Sequence, residues 1–220
     1  MVEPDIVPPP ALISKPIRTK VCGITSVEDA QMAVAAGADA IGLVFYPPSP
    51  RYVSTEVAAN IAASVGPFVT VVGLFVDAEH SAISDVLSRV DLHVLQFHGN
   101  EQEQDCLRYQ RPYMKAIRMK PELDVTKAMA EFPSASAILL DAYRKGVPGG
   151  TGEVFDWRRV PQNTEQKIVL AGGLSADNVA KAIKATHVYG VDVSGGVEAS
   201  PGKKDLDKVA TFIAQTHASE

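Results

Sequence analysis

From residue 17 to residue 217, short runs of β-branched and aliphatic residues alternate with longer, alanine-rich amphipathic stretches, eight of each. This regular alternation limits the fold more than any other feature of the chain. Runs at 17–22, 39–45, 69–76, 92–96, 113–118, 136–141, 167–171 and 188–193 read as strands. Helices are expected over 26–36, 54–64, 79–89, 101–110, 124–131, 154–159 (short), 175–185 and 205–217. Several boundaries carry their own signals. Thr25 or Ser26, followed by Glu28 and Asp29, can satisfy the free amides of a helix start, and Gly37 stops that helix. Ser175 before Ala176 and Asp177 reads in the same way for the seventh helix. Strands such as Val69-Thr70-Val71-Val72-Gly73-Leu74-Phe75-Val76 are apolar on both faces, as in a parallel sheet covered by helices. An open, doubly wound sheet produces the same pattern. Eight regular units without a second lobe favour closure into a single-domain (β/α)8 TIM barrel over residues 17–217.

Composition narrows the function. A chain of 220 residues suits one well-buried domain. Its net charge of −5 gives no general attraction to nucleic acid or to an anionic membrane, so an anionic ligand has to be held by local donors. Two cysteines, Cys22 and Cys106, lie in no metal-ligand spacing and make a disulfide framework improbable. Residues 1–16 carry Pro4, Pro8, Pro9, Pro10 and Pro16 and lack the pattern of a signal peptide; they read as a poorly ordered extension, with 218–220 as a short tail. No run approaches the roughly 18 apolar residues of a membrane span. A cytoplasmic protein is expected.

In a barrel of this kind the active site forms where the strands end, so residues at strand exits acquire direction. The first exit is Cys22-Gly23 and the second leads into Ser49-Pro50-Arg51-Tyr52. The fourth is Gln96-Phe97-His98, the sixth Asp141, the seventh Ala171-Gly172-Gly173 and the eighth Asp192-Val193-Ser194-Gly195-Gly196. The paired glycines after strands seven and eight, the second pair feeding a short helix near Val197-Glu198, offer backbone amides where such barrels bind phosphate. Tight turning alone is their plain alternative. Cys22 in isolation reads as a small buried hydrophobe; at a strand exit, with Lys20 one pleat below to favour the thiolate, it becomes a candidate base. Asp141 closes an apolar strand and suits a helix cap, a polar ligand contact or a carboxyl kept protonated for acid catalysis. The glycine-rich segment 142–152 reads as a mobile active-site loop.

Read together, Lys20-Val21-Cys22-Gly23-Ile24-Thr25, Gly37 to Phe45, Ser49-Pro50-Arg51-Tyr52, Leu139-Leu140-Asp141, Gly149 to Trp157, Ala171-Gly172-Gly173-Leu174 and Asp192 to Glu198 closely resemble the phosphoribosylanthranilate isomerase family. The resemblance runs from Thr19 to about Ile213 and implies the same barrel. It also implies the Amadori rearrangement of N-(5-phospho-β-D-ribosyl)anthranilate to 1-(2-carboxyphenylamino)-1-deoxy-D-ribulose 5-phosphate in tryptophan biosynthesis. The resemblance assigns Cys22 as general base and Asp141 as general acid. Arg51 is implied as the partner of the anthranilate carboxylate, and Gly172, Gly173, Gly195 and Gly196 as phosphate-binding positions. Gln96 and His98 line the site in this pattern, and Asp192 has an orienting role. No metal and no organic cofactor is implied. The family's common Ser-Ser-Gly is Ser194-Gly195-Gly196 here, which removes one hydroxyl but keeps the backbone accessible. The nearest enzymatic alternative is a histidine-pathway-like sugar isomerase, which relies on paired carboxylates rather than a cysteine. A barrel kept only as an interaction module is the non-enzymatic one. The alanine-rich helices fit a monomer and a homodimer equally well.

Overall fold

The structure is a computed structural model that describes residues 16–142 and 155–218. Eight strands form a closed parallel barrel in sequence order. They are β1 (Arg18–Cys22), β2 (Ala40–Val44), β3 (Thr70–Phe75), β4 (Val94–Phe97), β5 (Tyr113–Met119), β6 (Ala137–Ala142), β7 (Ile168–Leu170) and β8 (Gly190–Val193). Closure is made by β1 against β8, with Lys20 in register with Asp192. Residues 1–15, 143–154 and 219–220 lie outside the described part, and with them nearly all of the expected proline-rich leader (1–16), the expected glycine-rich loop (142–152) and the expected tail (218–220).

The helices are α1 (Val27–Ala35), α2 (Thr55–Ser64), α3 (His80–Arg89), α4 (Glu103–Leu107), α5 (Val125–Ala130), α6 (Val179–Thr186) and α7 (Leu206–His217). Ser26 rather than Thr25 caps α1, accepting from the amide of Asp29 at 3.1 Å. Ser54, Asp124 and Asp205 cap α2, α5 and α7 in the same way, and each such cap contributes about 1 kcal/mol. Gly37 follows α1 with φ +105°, a conformation a side chain would strain.

Three expectations need correction. The sixth helical unit is, in its described part, a single 3-10 turn at Trp157–Arg159. The seventh helix starts at Val179, four residues beyond Ser175. There the Asn178 side chain accepts from the Ser175 amide and donates to the Gly173 carbonyl, 2.9 Å each, so the chain turns before it coils. The helix expected near Val197 is a 3-10 turn, Gly195–Val197, followed by a small antiparallel hairpin of β9 (Glu198–Ser200) and β10 (Lys203–Lys204). Thr25 Oγ1 donates to the Gly202 carbonyl at 2.5 Å, and the Lys204 amide donates to Asp29 at 2.9 Å, which ties the hairpin to α1.

Strand alternation divides the apolar residues into two layers. Val21, Ile41, Leu43, Val71, Leu95, Ile138, Leu140 and Val191 belong to the large core beneath the helices. Val72, Met114, Ala116, Ala137, Leu139, Val169 and Ala171 fill the barrel itself. At the C-terminal end this inner stack changes character. Above it sit Cys22, Val44 and Leu74 as a separate small cluster, with buried Lys20, Gln96, His98, Asp141 and Asp192. Polar groups so placed are buried only because they serve one another or a ligand.

Candidate active site

All ten residues singled out from the strand exits line one cleft at this end of the barrel. Cys22 is the last residue of β1 and 5% exposed. Its neighbour across the sheet is Gly42, where an added Cβ would lie 2.7 Å from Cys22 Sγ and 3.0 Å from Lys20 Nζ. The glycine therefore leaves the space in which thiol and ammonium meet. Lys20 Nζ also donates to Asp192 Oδ1 at 2.8 Å in a pair with side chains less than a tenth exposed. Burial alone would lower the Lys20 ammonium, but Asp192 and Cys22 outweigh it and hold the lysine protonated above its usual range.

That ammonium acts on Cys22 in the expected direction and does not prevail. Burial pushes the thiol up, Lys20 pulls it back, Asp192 pushes it up again, and the net shift is upward. Lys20 favours the thiolate, as the shared strand parity suggests, but burial outweighs it and holds Cys22 toward the thiol, which becomes a strong base when ionised.

Opposite, Asp141 is 4% exposed near the end of β6. His98 Nε2 lies 3.1 Å from Asp141 Oδ2, and His98 Nδ1 lies 3.1 Å from Gln96 Nε2. An amide nitrogen can only donate, so Nδ1 accepts and the ring proton sits on Nε2, directed at Asp141. Gln96 lies in β4 and His98 directly follows it, and Arg118 fixes this exit by donating to the His98 carbonyl at 2.9 Å. The contribution of His98 is therefore legible as geometry: it holds one oxygen of Asp141 and leaves Oδ1 outside that bond.

The two glycine pairs meet as backbone. An added Cβ on Gly196 would collide with the Leu174 carbonyl, and one on Gly172, which has φ +80°, would collide with the backbone amide of Ala142. Side chains at these positions would push the loops after β7 and β8 apart and away from the exit of β6. Gly173 has φ +66°. The result is a cleft edge built from closely packed main chain, the kind of surface whose amides cradle anions.

Arg51 reaches the cleft from the loop after β2. Gly23, at φ +76°, makes room for it: an added Cβ would lie 2.5 Å from Arg51 Cδ. Its guanidinium is already engaged, with Nε and Nη2 donating at 2.7 Å to the two oxygens of Glu198. Lys204 Nζ, fully buried, donates to Glu198 Oε1 at 2.9 Å. Sequence reasoning did not single out Glu198 or Lys204 as site residues. The signal available is a carboxylate two residues after the glycines of the eighth exit, but the lysine is six residues further on, across a hairpin with no readable period.

Comparison with known proteins gives a consistent picture. Residues 19–215 match the family model described as N-(5'-phosphoribosyl)anthranilate (PRA) isomerase. A relative named N-(5'-phosphoribosyl)anthranilate isomerase from Cellvibrio japonicus (strain Ueda107) is 65% identical over 199 residues, covering 90% of this chain and 93% of the relative. The crystal structure of phosphoribosyl anthranilate isomerase from Thermotoga maritima superposes with TM-score 0.84 at 41% identity, covering 92% of this chain and 99% of that one. A second similar structure holds reduced 1-(o-carboxyphenylamino)-1-deoxyribulose 5-phosphate, with TM-score 0.77 at 40% identity and the same coverage.

Proposed function

The chain belongs to the N-(5'-phosphoribosyl)anthranilate isomerase family, and from that premise we propose how its cleft performs the family's reaction. The activity is the isomerisation of N-(5-phosphoribosyl)anthranilate, a step of tryptophan biosynthesis. Asp141, as general acid, gives a proton to the furanose oxygen as the anilino nitrogen pushes the ring open. The product of that step is a protonated Schiff base whose C2 proton is acidified. Cys22, as thiolate, removes the C2 proton, and the resulting enolamine tautomerises to the ketone. One acid and one base of opposite protonation demand are needed. The single observation that carries this reading is the presence of a buried thiol and a buried carboxyl in one cleft, beside the close-packed glycine loops.

The remaining contacts follow from chemistry. A planar guanidinium matches the planar anthranilate carboxylate, so Arg51 orients the aryl end. The amides of Gly172, Gly173, Gly195 and Gly196 take the phosphate. Asp192 keeps the Lys20 ammonium in place beside the thiol, which is an orienting role. His98 and Gln96 line the site and hold the acid. A cytoplasmic location, where the pathway's soluble intermediates are handled, goes with this reading.

The reading fixes the sign of the pH dependence. Proton abstraction needs the thiolate, and burial holds the Cys22 thiol above its ordinary range. Activity therefore rises with pH as the thiol ionises, with the ascending limb of kcat/KM set by an ionisation above that of a free cysteine. Lys20→Met, which removes the cation that partly offsets burial, moves that limb further up. A pH profile of both proteins checks this; a limb at or below the free-thiol value contradicts it.

A homodimer is supported by Phe68, which is 98% exposed at the opposite, N-terminal mouth of the barrel beside half-exposed Tyr189. The Thermotoga maritima enzyme is described as dimeric. Light scattering should give twice the mass of one chain, and Phe68→Asp should give one; a monomeric starting protein would reject the dimer.

A further inference from the structure

The reaction steps above use neither Glu198 nor Lys204, yet both are buried and both are held to the site. We propose that Glu198 is a positioning residue that locks Arg51 with its free end toward the aryl carboxylate, and that Lys204 supplies the positive charge that Glu198 would otherwise cancel. The proposal rests on Arg51 binding the anthranilate carboxylate.

The geometry is specific. A guanidinium has five N–H donors. Glu198 takes the Nε edge, using Nε and Nη2 at 2.7 Å each. The edge between Nη1 and Nη2 remains, and it alone can present two parallel donors to a second carboxylate. Glu198 thereby selects which edge of Arg51 the substrate meets. Burial is graded along the triad: the Arg51 side chain is 15% exposed, Glu198 5% and Lys204 0%. Arg51 lines the cleft and the other two do not. They act through the arginine.

Charge requires the third member. Arg51 and Glu198 alone sum to zero net charge, whereas with Lys204 the triad is formally +1. Burial pushes Glu198 up, but its bonds to Arg51 and Lys204 outweigh this and hold it ionised below the usual carboxylate range. The triad is also anchored to the phosphate edge. Lys204 Nζ donates to the Ser194 carbonyl at 3.3 Å, next to Gly195, and Lys208 Nζ donates to the Glu198 carbonyl at 2.8 Å. Because Arg51 is held before substrate arrives, little of its side-chain freedom remains to be lost on binding.

The test compares two substrates, N-(5-phosphoribosyl)anthranilate and N-(5-phosphoribosyl)aniline, which lacks the carboxylate. Glu198→Gln cannot accept from both Arg51 nitrogens. It should raise KM for the first substrate on the order of tenfold with kcat within about twofold, and leave KM for the second unchanged. Arg51→Ala should show the same substrate dependence more strongly. If Glu198→Gln does not fold, Glu198→Asp, which keeps the charge but shortens the reach, carries the same comparison. An equal rise for both substrates would reduce Glu198 to a structural role and overturn the proposal. So would an unchanged KM in a folded Glu198 variant while Arg51→Ala is impaired. Unchanged KM in Arg51→Ala would instead remove the reading of Arg51 itself, and the proposal with it.

Discussion

Asp141→Asn is expected to keep the barrel intact and lower kcat/KM by about three orders of magnitude, within the range by which positioned acids accelerate proton transfer. The substitution nearly preserves shape. The asparagine carbonyl can still accept from His98 Nε2 at the position where Asp141 Oδ2 now lies, 3.1 Å away. What disappears is a proton that can be given to the furanose oxygen, because an amide N–H is far too weak an acid. Loss of activity with an unchanged melting temperature would therefore isolate the protonation step from folding. A variant retaining more than about a tenth of wild-type kcat/KM would remove Asp141 from that role.

Cys22→Ala is expected to abolish turnover to a similar or greater extent, on the order of a thousandfold or more, because no neighbour can take over. Lys20 is held as an ammonium and has no lone pair to offer. Asp192 is occupied by Lys20 at 2.8 Å. His98 directs one nitrogen at Asp141 and the other at Gln96. Stability should change little, since only the sulfur leaves a site that is open to the cleft on one side. The folded state of the variant is checked by its melting temperature and its activity by single-turnover conversion.

Much of this arrangement is legible in the sequence. The barrel strands are buried on both faces, so their aliphatic runs stand out, and all eight appear within a few residues of where periodicity puts them. Residues at strand exits inherit their position from that periodicity, which is why Cys22, Asp141 and Asp192 could be placed together. Irregular segments obey no period. The turn before α6 depends on Asn178 folding back on Gly173 and Ser175, a local side-chain contact that competes with a helix start. The hairpin Glu198–Ser200 and Lys203–Lys204 is too short to show alternation, and so the triad it completes around Arg51 stayed hidden. The thiol is instructive in another way. Strand parity puts Lys20 beside it, but the balance between a nearby cation and burial is a matter of three-dimensional enclosure, and burial prevails.

The central claim is that Cys22 removes the C2 proton of a ring-opened intermediate. It is tested most directly with substrate deuterated at C2 of the ribose, by following release of the label under single-turnover conditions. Wild-type protein should release deuterium with a primary isotope effect, and Cys22→Ala should bind the reduced product analogue with near wild-type affinity yet retain the label. Release of C2 deuterium by Cys22→Ala at the wild-type rate would contradict the account.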